Sequence, residues 1–89
     1  MISHTNNRFR KALRQLPKPI QYKVRKAFEI WKRNPYHESL RFKQVHANRP
    51  IYSVRIGLGW RAVGLLEGDH MIWFWVGSHA DYDKLISQV

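Results

Sequence analysis

Four side chains suited to phosphate chemistry stand in the second half of the chain: Arg55, Arg61, His79 and Tyr82. Arg55 and Arg61 flank Gly57-Leu58-Gly59, and glycine tolerates the positive φ that tight hairpin loops need. If that loop holds three residues, Ile56 faces Trp60 and Arg55 faces Arg61 across an antiparallel ladder. Like charges directly opposite each other are destabilising. A phosphate gripped by both guanidinium forks resolves that repulsion. A loop of two residues would shift the register and separate the arginines, and spacing alone leaves both arrangements open.

The second feature is Gly77-Ser78-His79-Ala80-Asp81-Tyr82-Asp83, which follows an apolar run. An imidazole at the end of a strand can reach from the core into a groove and exchange a proton near neutrality. Tyr82 and either aspartate lie close enough in sequence to orient it or to share the transfer. The plainer alternative for His79 is an exposed or capping residue.

Together these residues match one reaction. RNA carries its own nucleophile, the 2′-hydroxyl, so cleavage requires neither a metal nor a covalent enzyme intermediate. It requires a proton acceptor, pre-placed positive charge for the phosphorane, and a proton donor for the leaving 5′-oxygen. His79, the Arg55/Arg61 pair and Tyr82 fit those roles, with a 2′,3′-cyclic phosphate as the expected product. Arg41, Lys43, His46 and Arg49 form a basic run that either follows an RNA backbone or is a solvated edge. His4, His37, His46 and His70 show no i, i+4 or H-E-x-x-H spacing, so no metal site is expected. Gly57-x-Gly59 is too short for a phosphate-binding fingerprint. Trp60, Trp73 and Trp75 read as core or interface residues rather than base-stacking platforms, with Trp73 and Trp75 sharing one face of their strand.

The elements that must position these groups are legible from hydrophobic period. Ile2-Ser3-His4 is short and extended, and Thr5 or Asn6 can cap a first helix. Phe9, Ala12, Leu13 and Leu16 follow the i, i+3, i+4, i+7 rule of one buried stripe. Pro17-Lys18-Pro19 ends that helix, because a residue before proline avoids the helical region, and Pro19 suits the first turn of the next. Ile20, Val24, Ala27, Phe28 and Trp31 then share a face, with Lys23, Arg25, Lys26, Lys32 and Arg33 around the rest. Asn34-Pro35 ends this second helix.

From Leu40 the period falls from 3.6 to 2. Leu40 and Phe42 alternate with Arg41 and Lys43 as a first strand or strand-like segment. Tyr52, Val54 and Ile56 alternate with Ile51, Ser53 and Arg55 in a second. Trp60 to Leu66 reads as a third strand and Glu67-Gly68-Asp69 as a turn. Met71 to Val76 is apolar on both faces, as a strand covered on two sides should be. Ala80 to Val89 can add a short closing helix. The expected fold is α+β: a helical hairpin on one face of a small, mainly antiparallel sheet, with a short C-terminal helix.

Composition sets the frame. The 89 residues fit one domain, residues 1–89, with no room for a second core. Four Trp, four Tyr and four Phe supply a core built from few, large side chains. Cysteine is absent, which excludes disulfides and thiolate metal sites and fits a reducing cytoplasm. Sixteen Lys and Arg against six Asp and Glu give a formal charge of +10. Such a field attracts polyanions, nucleic acid foremost, although charge also serves solubility. No apolar run of about 20 residues is present to span a bilayer, and no secretory h-region follows Met1.

The order of two helices around a proline break, then Tyr52-Ser53-Val54-Arg55-Ile56, Trp60-Arg61-Ala62-Val63, an acidic glycine turn, an apolar strand and Gly77-Ser78-His79 resembles the RelE/ParE toxin superfamily. The resemblance covers essentially the whole chain and rests on order and spacing. It implies an mRNA interferase, an endoribonuclease that cuts message on the ribosome and inhibits translation, without a cofactor. By position, Arg55 is similar to a basic residue on the second family strand and Arg61 to the arginine after the aromatic in the third. His79 resembles the histidine that YafQ-like toxins carry after the last strand, where RelE has arginine. Two departures stand out: Ser53 occupies the place of a RelE lysine, and the RelE C-terminal tyrosine falls later than Tyr82. The resemblance further implies an acidic antitoxin partner, a toxin–antitoxin hetero-oligomer and a cytoplasmic location. Two alternatives remain at this level: a ParE-like inhibitor of DNA gyrase, which shares the fold, and a non-catalytic basic RNA-binding module.

Overall fold

The computed structural model describes all residues, 1–89. Its elements are β1 (Ile2–Thr5), α1 (Asn7–Arg14), α2 (Lys18–Arg33), a 3₁₀ turn (Glu38–Leu40), β2 (Lys43–Gln44), β3 (Ile51–Ile56), β4 (Trp60–Glu67), β5 (His70–Ser78) and α3 (His79–Gln88). The sheet has five strands in the order β1-β5-β4-β3-β2. All pairings are antiparallel except β1 with β5. The α+β architecture expected from the sequence is therefore the one observed.

Local chemistry accounts for the helix boundaries. The Asn6 side chain accepts a hydrogen bond from the Phe9 backbone N–H at 2.9 Å, which caps α1. Pro17 precedes α2 and Pro19 sits in its first turn, where a missing N–H costs nothing. Val24, Ala27 and Trp31 form the buried stripe of α2. The two helices cover one sheet face around an aromatic chain: Phe9 stacks on Phe28 at 5.6 Å and Phe28 on Trp73 at 4.9 Å. Trp31 meets Trp73 edge-on at 5.5 Å. A smaller cluster of Ile51, Val63 and Tyr82 lies under α3 on the opposite face, so the hairpin β3–β4 is buried from both sides.

Three features depart from the sequence expectation. Leu40 and Phe42 do not open a strand: Leu40 closes the 3₁₀ turn and Arg41 adopts a left-handed conformation with φ 49°. That backbone cannot extend, so pairing begins only at Lys43. Second, Trp73 and Trp75 do not share a face. Val63 pairs with Trp75 and Gly64 with Trp73, which leaves Phe74 as the extra residue of a β-bulge. Trp73 enters the helix-side core while Trp75 packs under α3. Third, Ile2–Thr5 is a full parallel edge strand, tied in by the Trp73 indole N–H donating to the Ser3 hydroxyl at 3.0 Å.

The bulge needs space on both sides, and two glycines supply it. A Cβ on Gly64 would lie 2.8 Å from the Trp73 ring and 2.9 Å from the Met71 sulfur; one on Gly77 would lie 2.7 Å from the Trp75 ring. Gly64→Ala is therefore expected to destabilise the fold by about 1–3 kcal/mol through overpacking. Urea denaturation followed by tryptophan fluorescence measures this, and an unchanged midpoint would show that Trp73 has room to shift.

Candidate active site

The loop between β3 and β4 holds three residues, with Gly57 at φ 63°. This fixes Ile56 opposite Trp60 and Arg55 opposite Arg61. Both arginines project on the α3 side of the sheet, where they line an open groove of about 370 Å³ together with Arg41, Lys43, Ser53, His79 and Tyr82. Lys43 joins this face because it pairs with Ser53 across β2–β3. The four residues singled out by chemistry, Arg55, Arg61, His79 and Tyr82, thus converge in one place.

Each arginine is steadied by a neighbouring carbonyl. Arg55 Nε–H donates to the Gly57 oxygen at 3.1 Å and Arg61 Nη1 to the Trp60 oxygen at 2.8 Å. The Arg61 guanidinium is held below its ordinary pKa, first by burial and then by the charge of Arg55, against the opposing influence of Tyr82 and Asp83. Guanidinium remains charged at neutral pH all the same. The contribution of Arg55 is the repulsion expected of like charges directly opposed across a ladder.

His79 is the first residue of α3, directly after Ser78, whose hydroxyl accepts from the Asp81 N–H at 3.2 Å and caps the helix. The His79 backbone N–H donates to the Gly59 oxygen at 2.8 Å, which ties the helix start to the arginine hairpin. Its side chain is half-exposed, with Nδ1 3.2 Å from an Asp83 carboxylate oxygen one helical turn away. Of the two aspartates near it in sequence, the geometry thus selects Asp83. The Tyr82 ring lies edge-on to the imidazole at 5.9 Å, and its hydroxyl donates to Ser53 Oγ at 3.3 Å. Tyr82 and Ser53 are both buried, so they form the floor of the groove and the others its rim.

The basic run divides. Arg41 and Lys43 lie in the groove, whereas His46 and Arg49 belong to the loop between β2 and β3. There His46 Nδ1 accepts from the Asn48 and Arg49 N–H groups at 3.0 Å, and its Nε2 donates to the Val89 carbonyl at 2.9 Å. His46 is engaged in holding the loop and the chain end together. Ser53, which shares a face of β3 with Arg55, lies in the groove as well; its hydrogen bond with Tyr82 is the feature that sequence alone did not show. His4 and His70, distant in sequence, meet at the β1–β5 edge with Nε2 and Nδ1 2.8 Å apart.

A family model described as a ParE-like toxin domain matches residues 18–84, so the chain belongs to that family, within the RelE/ParE toxin superfamily. Solved structures share the fold at low sequence identity. One is a chain of the RelB–RelE antitoxin–toxin complex from Methanococcus jannaschii (TM-score 0.74, 18% identity, 92% of this chain and 96% of that one). Others are YafQ from E. coli (0.72, 12%, 90% and 94%) and the RelBE2 toxin–antitoxin complex from Mycobacterium tuberculosis (0.70, 20%, 88% and 96%). No curated protein sequence matches.

An anion seated between Arg55 and Arg61 should stabilise the native state. At ten times its dissociation constant, sulfate is expected to raise the unfolding free energy by about 1.4 kcal/mol, relative to chloride at equal ionic strength so that general screening cancels. Arg61→Gln should remove most of that gain. Identical sulfate and chloride melting curves for the wild-type chain would contradict an anion site between the arginines.

Proposed function

We propose that this chain is the toxin of a toxin–antitoxin pair and acts as an endoribonuclease on mRNA, in association with the ribosome, thereby inhibiting translation. The observation that carries the reading is the placement of an imidazole beside two directly opposed guanidinium groups in a single groove. Donation of the His79 Nδ1–H to Asp83 leaves Nε2 free to accept the 2′-hydroxyl proton. The 2′-oxygen attacks phosphorus, the bond to the 5′-oxygen breaks, and charge on the phosphorane falls to the arginine forks. Tyr82, at the floor of the groove, exchanges its hydrogen bond to Ser53 for one to the leaving 5′-oxygen and donates the proton there. The products are a 2′,3′-cyclic phosphate and a 5′-hydroxyl. Arg41 and Lys43 hold the adjoining backbone.

The partner is an acidic antitoxin, in keeping with the formal charge of +10 and with antitoxin–toxin complexes among the structural neighbours. A cytoplasmic location is part of this proposal. No helix is long and apolar enough to cross a membrane. A second reading, inhibition of DNA gyrase, has the ParE-like description of the family in its favour. It predicts loss of supercoiling activity with RNA left intact.

Induction in cells followed by primer extension on a reporter message tests the proposal. New 5′ ends are expected with the wild-type chain. His79→Ala and Arg61→Ala should each reduce them at least about 100-fold, the scale of losing a general base or a transition-state donor. Undiminished cleavage in both variants would end the site assignment.

A further inference from the structure

The groove does not stop at Arg55. β2 is only two residues long and pairs with Tyr52 and Ser53, so the outer edge of β3 from Val54 to Ile56 carries no partner strand. Around that open edge lie two further cavities. The first is lined by Glu38, Ser39, Arg41 and Arg55, and shares Arg41 and Arg55 with the catalytic groove. The second, about 400 Å³, shares Ser39 and Arg55 with the first and reaches α2 and the tip of the β3–β4 hairpin. Arg55 lines all three. Shared side chains thus link the three cavities from His79, past Arg41 and Arg55, to the flank of α2.

The far cavity differs in chemistry from the groove. Its floor is aliphatic, formed by Ala27, Ile30 and Leu40, with Leu58 of the hairpin tip 83% exposed beside it. Its rim carries Lys23 and Lys26, and the Lys23 side chain lies against Gly57, where a Cβ would meet its Nζ at 3.8 Å. An apolar floor under a cationic rim matches a nucleotide: the base face on the aliphatic surface and its phosphate on the ammonium groups. Beyond the groove two carboxylates stand by the path, Glu38 in the first cavity and Glu29, whose Oε2 lies 3.9 Å from Lys26 Nζ, and both steer phosphate toward the Lys23, Arg41 and Arg55 side.

We infer that the α2–hairpin cavity, with Lys23, Lys26 and Leu58, is a subsite for a nucleotide flanking the scissile phosphate, reached along the unpaired edge of β3. The subsite rests on the endoribonuclease reading, and it makes α2 part of the substrate surface rather than only the cover of the core. Its occupant is single-stranded RNA, since one strand alone can follow a path that bends around a sheet edge and lay a base flat on its floor.

The test is NMR titration of the ¹⁵N-labelled chain with uncleavable 2′-O-methyl oligouridylates of two lengths, a dimer and a hexamer. The dimer should shift amides of the groove, Ser53, Arg61 and His79, alone. The hexamer should shift these and also Lys23, Lys26, Gly57 and Leu58. Lys23→Gln with Lys26→Gln should weaken the hexamer about 10-fold and flatten the dependence of log affinity on log salt by about 1.4, the value for two single-strand phosphate contacts. Arg25→Gln with Lys32→Gln, the same loss of charge on another flank of α2, should change hexamer affinity less than about 2-fold. Hexamer shifts confined to the groove, or equal weakening by the two double variants, would overturn the subsite and leave the endoribonuclease reading standing. Failure of both oligonucleotides to move the groove amides would remove that reading, and the subsite with it.

Discussion

The register of the β3–β4 hairpin governs the whole basic face. Because the loop holds three residues, Arg55 and Arg61 meet across the ladder instead of being offset by one pleat. A slip of one residue would send one of them to the opposite face of the sheet. The pair itself opposes this register, since directly opposed like charges cost up to about 1 kcal/mol. What holds it is burial on both sides of the hairpin. Val54, Ile56 and Ala62 point into the helix-side core, and Ile51 and Val63 into the cluster under α3. Slippage would carry each set to the face packed for the other and turn a guanidinium toward the helix-side core, where each buried Val or Ile is worth about 1.5–3 kcal/mol. Apolar burial therefore outweighs the electrostatic repulsion that the basic face contains.

A second register constraint delivers the imidazole. The bulge at Phe74 changes the face of every later residue of β5 relative to an unbroken strand. It lets one strand serve two cores, with Met71 and Trp73 on one side, Trp75 on the other, then Val76 back on the first. It also sets Gly77 opposite Arg61 and Ser78 opposite Trp60, so that α3 begins at the mouth of the arginine hairpin. The hydrogen bond from the His79 N–H to Gly59 closes the arrangement. Two local irregularities, a glycine loop and one extra residue, thus bring the imidazole of His79 to Arg55, 24 positions earlier in the chain.

The sequence was most legible where one physical signal dominated. Alternation over Ile51–Ile56, the glycine loop and the apolar stripe of α2 each had a single period or a single steric reason behind them. Legibility failed where two signals coincided or where the determinant was distant. Leu40-Arg41-Phe42-Lys43 alternates like a strand, yet the left-handed Arg41 shows that Leu40 answers to the 3₁₀ turn instead. The Trp73/Trp75 error arose because β5 is apolar on both faces and so has no alternation against which a bulge could register. His46 was placed in the basic run by its neighbours in sequence, and its hydrogen bond to the Val89 backbone oxygen, 43 residues away, had no local signal. The face of Ser53 was legible from its alternation along β3, but its hydrogen bond with Tyr82, 29 residues along the chain, was not.

The groove is organised before anything enters it. An arginine on a surface ordinarily samples many rotamers, and ordering one costs up to about 2 kcal/mol. Here Arg55 spends only Nε–H on the Gly57 carbonyl and Arg61 only one Nη1 hydrogen on the Trp60 carbonyl. Each local bond restrains the side chain and leaves most of its fork unengaged. The hydrogen bonds are made by the same hairpin backbone that fixes the register, so positioning and restraint come from one source. Burial, and after it the charge of Arg55, hold the Arg61 pKa below its ordinary value, and an anion between the forks offsets the repulsion of the pair. An anion held there therefore draws part of its binding free energy from the repulsion that the hairpin register imposes on the pair.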